Sequence, residues 1–271
     1  MSNIHLTAII DKGAEIAEDV IIGPYTVIDA GVKINSGNRI GSHCYFTGLT
    51  TIGKNNNFYA YASVGTAPQD IGYKNEPTRL IIGDNNTFRE FVTLNRATTK
   101  ENGETIIGSN NFLMAYAHVG HDCVLSDNII IANATQLGGH VRVAEYVGIG
   151  GLGGVHHLVS IGAHAYIGGA ARIIQDVPPF MITEGHPGKV RAINSIGLER
   201  RGFSMEVIAE LESAFKLIWR SNLTSEQVFQ MIMNGEKKPC KEVTMLVEFL
   251  QNTRKGKHGR YLESLRKTPA R

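Results

Sequence analysis

Large apolar residues recur every six positions through most of this chain. They run Ile10, Ile16, Ile22, Ile28, Ile34, Ile40, Phe46, Ile52, Phe58 and Val64. The register returns at Ile82, Phe88 and Leu94 and then shifts by one residue. It resumes as Ile107, Leu113, Val119, Leu125, Ile131, Leu137, Val143, Ile149, Val155, Ile161, Ile167 and Ile173. A fixed period means one small unit stacked on copies of itself, and a period of six points to a parallel β-helix. An amphipathic α-helix would show a period of 3.6 instead. Three hexads make a coil of about 18 residues, and neighbouring coils pair as strands roughly 4.8 Å apart. No repeat is stable alone, because its backbone ladder is completed by the next.

The fourth residue after each anchor is small or β-branched: Ala14, Val20, Thr26, Val32, Cys44, Thr50, Ala62, and later Ala117, Cys123, Ile129, Thr135, Val141 and Val147. These residues can point inward beside the anchors. Cys44 and Cys123 are then core filler and not nucleophiles. Asn38, Asn56, Asn86 and Asn111 break the rule and suggest side-chain ladders. With 30 glycines and only 7% aromatic residues, the chain suits a narrow interior with many tight turns.

Two loops leave the prism. The first, residues 65–79, spans the gap between anchors Val64 and Ile82 and is expected to replace about one coil. The second, residues 95–105, is polar and expected to be exposed. Loops on a rigid scaffold are where function concentrates. The pattern stops at Asp176-Val177-Pro178-Pro179, where two prolines, unable to donate, are expected to end the ladder. A helical tail follows. Ser204 is a candidate N-cap for one helix, Thr224 or Ser225 for a second, and residues 241–256 form a third candidate. The reading is an all-β unit over 1–190 and a small helical unit over 191–271.

Residues 196–271 carry 14 Lys+Arg against 9 Asp+Glu, a net of +5, while the rest of the chain is net −3. A basic tail suits an acidic partner or phosphates; a solvated helical surface is the alternative. Three widely spaced cysteines argue against a disulfide framework. No signal peptide or membrane span is expected, and a reducing cytoplasm fits.

Six of the ten histidines lie between positions 118 and 164: His118, His121, His140, His156, His157 and His164. The coil length puts residues 121, 139 and 157 in one column. His121 could therefore face a carbonyl held by the Gly139 amide, with His140 beside it and His118 nearby on the turn. A neutral imidazole can accept a hydroxyl proton near neutral pH. An N–H aimed at the developing oxyanion meets the second need of acyl transfer. Asp122 could orient the imidazole; a turn residue bonded to its own backbone is the alternative. No G-x-S-x-G elbow or cysteine–histidine nucleophile motif is present, which favours direct transfer over an acyl-enzyme.

At these positions the chain resembles the UDP-N-acetylglucosamine 3-O-acyltransferases of lipid A biosynthesis. The resemblance rests on PQDIGYKNEPTR (68–79), AHVGHDC (117–123), GGH (138–140), VHH (155–157), QDVPPF (175–180) and GLERRGFS (197–204). It implies a left-handed β-helix and a homotrimer with active sites between subunits. It also implies transfer of a 3-hydroxyacyl chain from acyl carrier protein, carried on its phosphopantetheine arm, to the sugar 3-hydroxyl. No metal or other cofactor, nucleic acid or membrane span is implied. His121 becomes the general base, Asp122 its partner and Gly139 the oxyanion donor. Gln69 and Asp70 approach the sugar, and His118, His140, His156 and His157 line the substrate site. Asn194, Arg200 and Arg201 hold the nucleotide, and Gly169 gauges acyl length. Three positions depart from the pattern: Gly72 where a lysine is usual, with Lys74 a candidate replacement; His157 for a glutamine; and Ile196 for an acidic residue.

A diamino UDP-sugar acceptor is an alternative. The N-acyltransferase of the same pathway usually carries an extra N-terminal domain, for which hexads starting at Ile10 are expected to leave no room. A zinc carbonic anhydrase on the same scaffold would use three histidines, such as His118, His121 and His140. A non-catalytic scaffold would lack the histidine column, which is intact here.

Overall fold

The computed structural model describes residues 3–235 and 238–266. The expected units also include residues 1–2, 236–237 and 267–271, which lie outside the described residues. The hexads build a three-sided prism of short parallel strands. Face one starts with Asn3–Ile4 and Ile21–Ile22, face two with Ile9–Ile10 and Val27–Ile28, and face three with Glu15–Ile16 and Lys33–Ile34. The chain visits the faces in that order. Each strand pairs with its counterpart one coil on: Ile22 with Ile40, Ile28 with Phe46, Ile34 with Ile52. The anchors fill the interior, and Phe46, Ile52, Val64, Phe88, Leu94 and Leu113 are fully buried. Phe58 and Phe88 stack along face one with ring centroids 4.7 Å apart, and Phe46 of face two meets Phe58 edge-on at 5.1 Å. Ile10 and Ile16 are only partly buried, because the first coil has a neighbour on one side only.

The inward residues at position four do more than fill space. A corner carbonyl points away from the strand ladder and needs a donor. Thr26 Oγ1 donates to Gly41 O, Cys44 Sγ to Tyr59 O, Cys123 Sγ to Gly138 O and Thr135 Oγ1 to Gly150 O. Burial pushes the Cys123 thiol up to about 12, so it serves as a donor and not as a nucleophile. The four asparagines form the expected ladder. Each Oδ1 accepts the backbone N–H of the next coil, from Asn56 to Asn38, Asn86 to Asn56, Asn111 to Asn86 and Ile129 to Asn111.

Two expectations about the chain path are corrected. The first loop does not replace a coil. Asn57 pairs with Thr87, a separation of 30 residues, so the loop adds 12 to one 18-residue coil and leaves the stack unbroken. It bulges from the corner between Ser63–Thr66 on face two and Arg79–Ile82 on face three. The second correction concerns Pro178 and Pro179. They do not end the ladder, because they occupy a corner where no strand hydrogen bond is required. Met181–Gly185 then adds one more parallel strand beside Tyr166–Ile167, and Gly188–Ile193 folds back antiparallel to it.

The tail forms α1 (Ser195–Arg200), α2 (Met205–Arg220), α3 (Ser225–Met233), α4 (Lys241–Thr253) and α5 (Tyr261–Leu265). Ser204 caps α2, and Thr224 caps α3 in a reciprocal pair with Gln227. A second core joins Phe180, Met181 and Ile193 to Leu198, Leu211 and Leu246. The tail returns to the prism where Arg260 donates to Ile174 O and Asp176 accepts from Tyr261 N. Among the described residues no helix is long and apolar enough to cross a membrane.

Candidate active site

His121, Gly139 and His157 occupy successive corners between faces two and three. Strand pairing of His118 with Gln136 and of Gln136 with Gly154 fixes this column. Corner hydrogen bonds from His140 N to His121 O and from Leu158 N to Gly139 O close it. A β-carbon on Gly139 would lie 2.5 Å from His121 Cε1 and 2.7 Å from Nε2. The imidazole thus lies across a position that only glycine leaves open. Gly138 N donates to Val155 O and His140 N to His121 O, whereas the Gly139 N–H between them meets no protein acceptor among the described residues. An unspent donor therefore sits beside the imidazole.

Asp122 takes the left-handed position of its corner, at φ 60°, where Asp is among the better-tolerated residues. Its side chain is fully buried, and Oδ2 lies 2.7 Å from His121 Nδ1. Burial alone would raise this carboxyl. Hydrogen bonds from His121 and Thr98, with the nearby charge of His140, outweigh it and hold the group below its usual range. An ionised Asp122 keeps the proton on His121 Nδ1 and leaves Nε2 as the acceptor.

The second loop is exposed, as expected from its polarity, only at its tip, residues 99–102. Asn95, Ala97, Thr98 and Thr105 are buried, because the loop folds down over this edge. Thr98 Oγ1 donates to Asp122 Oδ2 at 2.7 Å. Glu101 Oε1 meets His140 Nδ1 at 2.7 Å, and Glu101 also pairs with Arg142. Lys100 pairs with Asp70 of the first loop. Asn95 Nδ2 to Thr66 Oγ1 and Arg96 Nε to Tyr73 Oη tie the two loops together. Thr98, Lys100 and Glu101 were missed in the sequence, where the loop carries no periodic signal, and Arg142 was missed as an outward residue of the strand Arg142–Val143.

A cleft of about 440 Å³ runs from Gln69 past His118, His121, Gly138 and Gly139 to His156, Arg172 and Ile174. His118 does not sit on the turn as expected. It lies in the strand His118–Val119, with Nδ1 2.7 Å from Thr93 Oγ1, and burial makes it a weaker base. The His156 and His157 rings lie 4.0 Å apart, tilted by 35°, at the far end. Asp70 Oδ2 stands 4.0 Å from His121 Nε2. Lys74 is exposed, and the cation on Asp70 is Lys100 instead.

The remaining expected residues stand elsewhere on the chain. His164 leaves the histidine group: it stacks on Tyr146 at 5.0 Å, on the edge between faces three and one. Asn194 donates to His164 O while capping α1, and Arg201 lies over the Tyr146 ring. Arg200, the last residue of α1, and Ile196, 63% exposed, accompany them. Gly169 is exposed on the third edge, at the corner after Tyr166–Ile167. One chain thus gathers the His121 group and does not bring Asn194, Arg200, Arg201 or Gly169 to it.

The histidine set imagined for zinc does not converge. Among the described residues, the three groups with ligand atoms within 4.8 Å of one another are His121, Asp122 and His140, without His118. Two of their atoms, His121 Nδ1 and His140 Nδ1, are already bonded to carboxylates.

Gly139→Ala tests the close approach directly. The new methyl group displaces the imidazole, so kcat/KM falls about 10²–10³-fold, comparable to losing one oxyanion donor. Steady-state kinetics beside an unchanged circular dichroism spectrum check it, and near-normal activity would disprove the tight packing.

The geometry has clear counterparts. Residues 176–258 match the family described as Udp N-acetylglucosamine O-acyltransferase, Domain 2, and residues 13–48 match the bacterial transferase hexapeptide repeats. The chain is 47% identical over 238 residues to the acyl-[acyl-carrier-protein]–UDP-N-acetylglucosamine O-acyltransferase of Herminiimonas arsenicoxydans, covering 88% of this chain and 91% of the relative. It is 44% identical over 260 residues to the protein of the same name from Paraburkholderia phymatum, covering 94% and 99%. The solved structure of LpxA from Acinetobacter baumannii superimposes with a TM-score of 0.87 at 42% identity, covering 91% of this chain and 96% of that one. The chain therefore belongs to the acyl-[acyl-carrier-protein]–UDP-N-acetylglucosamine O-acyltransferase family.

Proposed function

We propose that the protein transfers a 3-hydroxyacyl chain from acyl carrier protein to the 3-hydroxyl of UDP-N-acetylglucosamine, the first step of lipid A biosynthesis, in the cytoplasm. The observation that carries this reading is the His121 imidazole, oriented by Asp122 through Nδ1 and lying in an open cleft beside the unspent Gly139 N–H. His121 Nε2 takes the proton of the sugar hydroxyl as its oxygen attacks the thioester carbonyl. The oxyanion accepts a hydrogen bond from Gly139 N. Collapse breaks the C–S bond, and the phosphopantetheine sulfur recovers the proton from the imidazolium. The products are an ester and a free thiol, and no resident cofactor enters.

Gln69 and Asp70 face the sugar from the first loop, and His118 and His156 line the cleft, with His140 packed behind His121 and His157 against His156. Arg172 at the far end of the cleft and Lys257 in the pocket that adjoins it present positive charge that suits an acidic carrier protein and the phosphate of its arm. Asn194, Arg200 and Arg201 hold the nucleotide, and Gly169 limits the acyl chain. A site that uses three different edges draws on more than one chain. A homotrimer with each site between neighbours is the assembly this reading requires, and division into units 1–190 and 191–271 belongs to the same reading.

The test offers carrier proteins loaded with 3-hydroxyacyl chains of several lengths, with either the acetamido or the diamino UDP-sugar, and reads product mass. A base-labile ester on the acetamido sugar is expected. Transfer confined to the diamino sugar would overturn the acceptor, and no transfer would overturn the reading. Arg200→Ala should raise KM for the nucleotide sugar about tenfold, the loss of one charge-assisted bond of about 1.4 kcal/mol, with kcat little changed. A fall in kcat at constant KM would place Arg200 elsewhere.

A further inference from the structure

Two loops, both leaving the corner that carries His121, share an ion pair beside the hydrogen bonds that tie them together. Lys100 Nζ of the second loop bonds Asp70 Oδ2 of the first, and the same oxygen lies 4.0 Å from His121 Nε2. Asp70 Oδ1 accepts from Gly72 N at 2.8 Å, which fixes the plane of the carboxylate. The Asp70 side chain is 12% exposed and that of Lys100 51% exposed, so the ammonium stays hydrated while the acid is withdrawn. A β-carbon on Gly72 would lie 3.9 Å from Lys100 Nζ. The ammonium thus stands within reach of a side chain grown from position 72.

We infer that Lys100 is a positioning residue for acyl transfer: its ammonium holds the Asp70 carboxylate off the His121 imidazole and ready to accept a hydroxyl of the acceptor sugar. The inference rests on the acyl-transfer reading above. An unpaired carboxylate this close to an imidazole stabilises the imidazolium, so the base becomes available only at higher pH. It can also bond Nε2 itself and block the proton acceptor. A cation on Asp70 opposes both effects. The other groups facing His121 are Asp122 on Nδ1, the His140 ring edge-on at 5.2 Å, and His118, whose basicity is lowered by burial and then by the His121 charge. None of the three is bonded to Lys100, so its removal changes the Asp70 side of the imidazole alone.

Three variants test this: Lys100→Ala, Lys100→Arg, and Lys100→Ala combined with Gly72→Lys. The readouts are kcat/KM for the nucleotide sugar against pH, and Tm, with wild type and His121→Ala alongside. Lys100→Ala should lose about 10–100-fold in kcat/KM at pH 7, a range typical of a misplaced acid–base group. Its acid limb should move to higher pH by about 0.5–1 unit, at an unchanged Tm. Lys100→Arg should keep most activity. Gly72→Lys should return the acid limb of the Ala variant toward wild type, because the second ammonium reaches the same carboxylate. Wild-type kinetics and pH profile in Lys100→Ala overturn the inference. So does a loss that comes with a lowered Tm and is recovered by neither companion change. A wild-type protein that transfers no acyl group overturns the functional reading and this inference with it.

Discussion

His121→Ala lowers kcat by about 10³–10⁴-fold and leaves the prism folded. A positioned general base is worth about 10²–10⁴ in rate. The upper part of that range applies because Asp122 holds the imidazole in a single tautomer, with Nε2 free. The residual rate comes from the Gly139 amide and from binding both substrates in one cleft. Folding survives because the corner is held by backbone: His140 N still donates to His121 O. Asp122 loses one partner but keeps Thr98 N and Thr98 Oγ1, and its own N–H keeps Thr105 Oγ1. A Tm drop of a few degrees is therefore expected, on the order of one buried hydrogen bond. Single-turnover transfer beside thermal melts reads both quantities. More than a tenth of wild-type activity would remove His121 from the role of base.

The prism was legible because its cause is periodic. An anchor every six residues fixes which side chain points inward, and the pairing of Ile22 with Ile40 and Gly154 with Arg172 repeats the 18-residue coil to the end of the stack. The same phase placed His121 and Gly139 in one column. It also carried information left unread. Both loops follow face-two anchors, Val64 and Leu94, and return at face-three anchors, Ile82 and Ile107, so both leave the corner that carries His121. By that phase His164 falls at a different corner from His121, where it stacks on Tyr146 and not on the histidine group.

What was not legible depends on aperiodic contacts. Nothing in NRATTKENGET signals that Thr98 will reach Asp122, Lys100 will reach Asp70 and Glu101 will reach His140. Each contact follows from how a non-repeating segment folds over the corner. The polar composition that suggested exposure holds for the tip, residues 99–102, and elsewhere reflects donors and acceptors spent on buried partners. The hairpin of Met181–Gly185 and Gly188–Ile193 was hidden for a related reason. Two prolines read as a stop, yet they fall in a corner where a missing N–H costs nothing. The helices α2 and α3 were visible from their caps, whereas the short α1 and α5 and the docking through Arg260 and Asp176 were not.

Asn86→Ala destabilises the protein by about 3–5 kcal/mol, more than most single substitutions. Asn86 is fully buried and uses its whole amide. Nδ2 donates to Asn56 Oδ1 and to Gly108 O, both at 2.9 Å, and Oδ1 accepts from Asn111 N at 2.8 Å. Alanine leaves the Gly108 carbonyl and the Asn111 N–H without partners inside the prism. Each unsatisfied buried group costs about 1–3 kcal/mol, and the small void adds to this. Asn86→Asp is no rescue, because a carboxylate would face the Asn56 and Gly108 oxygens with no proton to give. The loss should spread along the stack, since each coil is stabilised by its neighbours and a break at one rung weakens both sides. A Tm lowered by about 6–15 °C at fixed protein concentration is the expected reading. A shift under about 2 °C would mean that the ladder is spectator packing, and that the anchors alone hold the middle coils together.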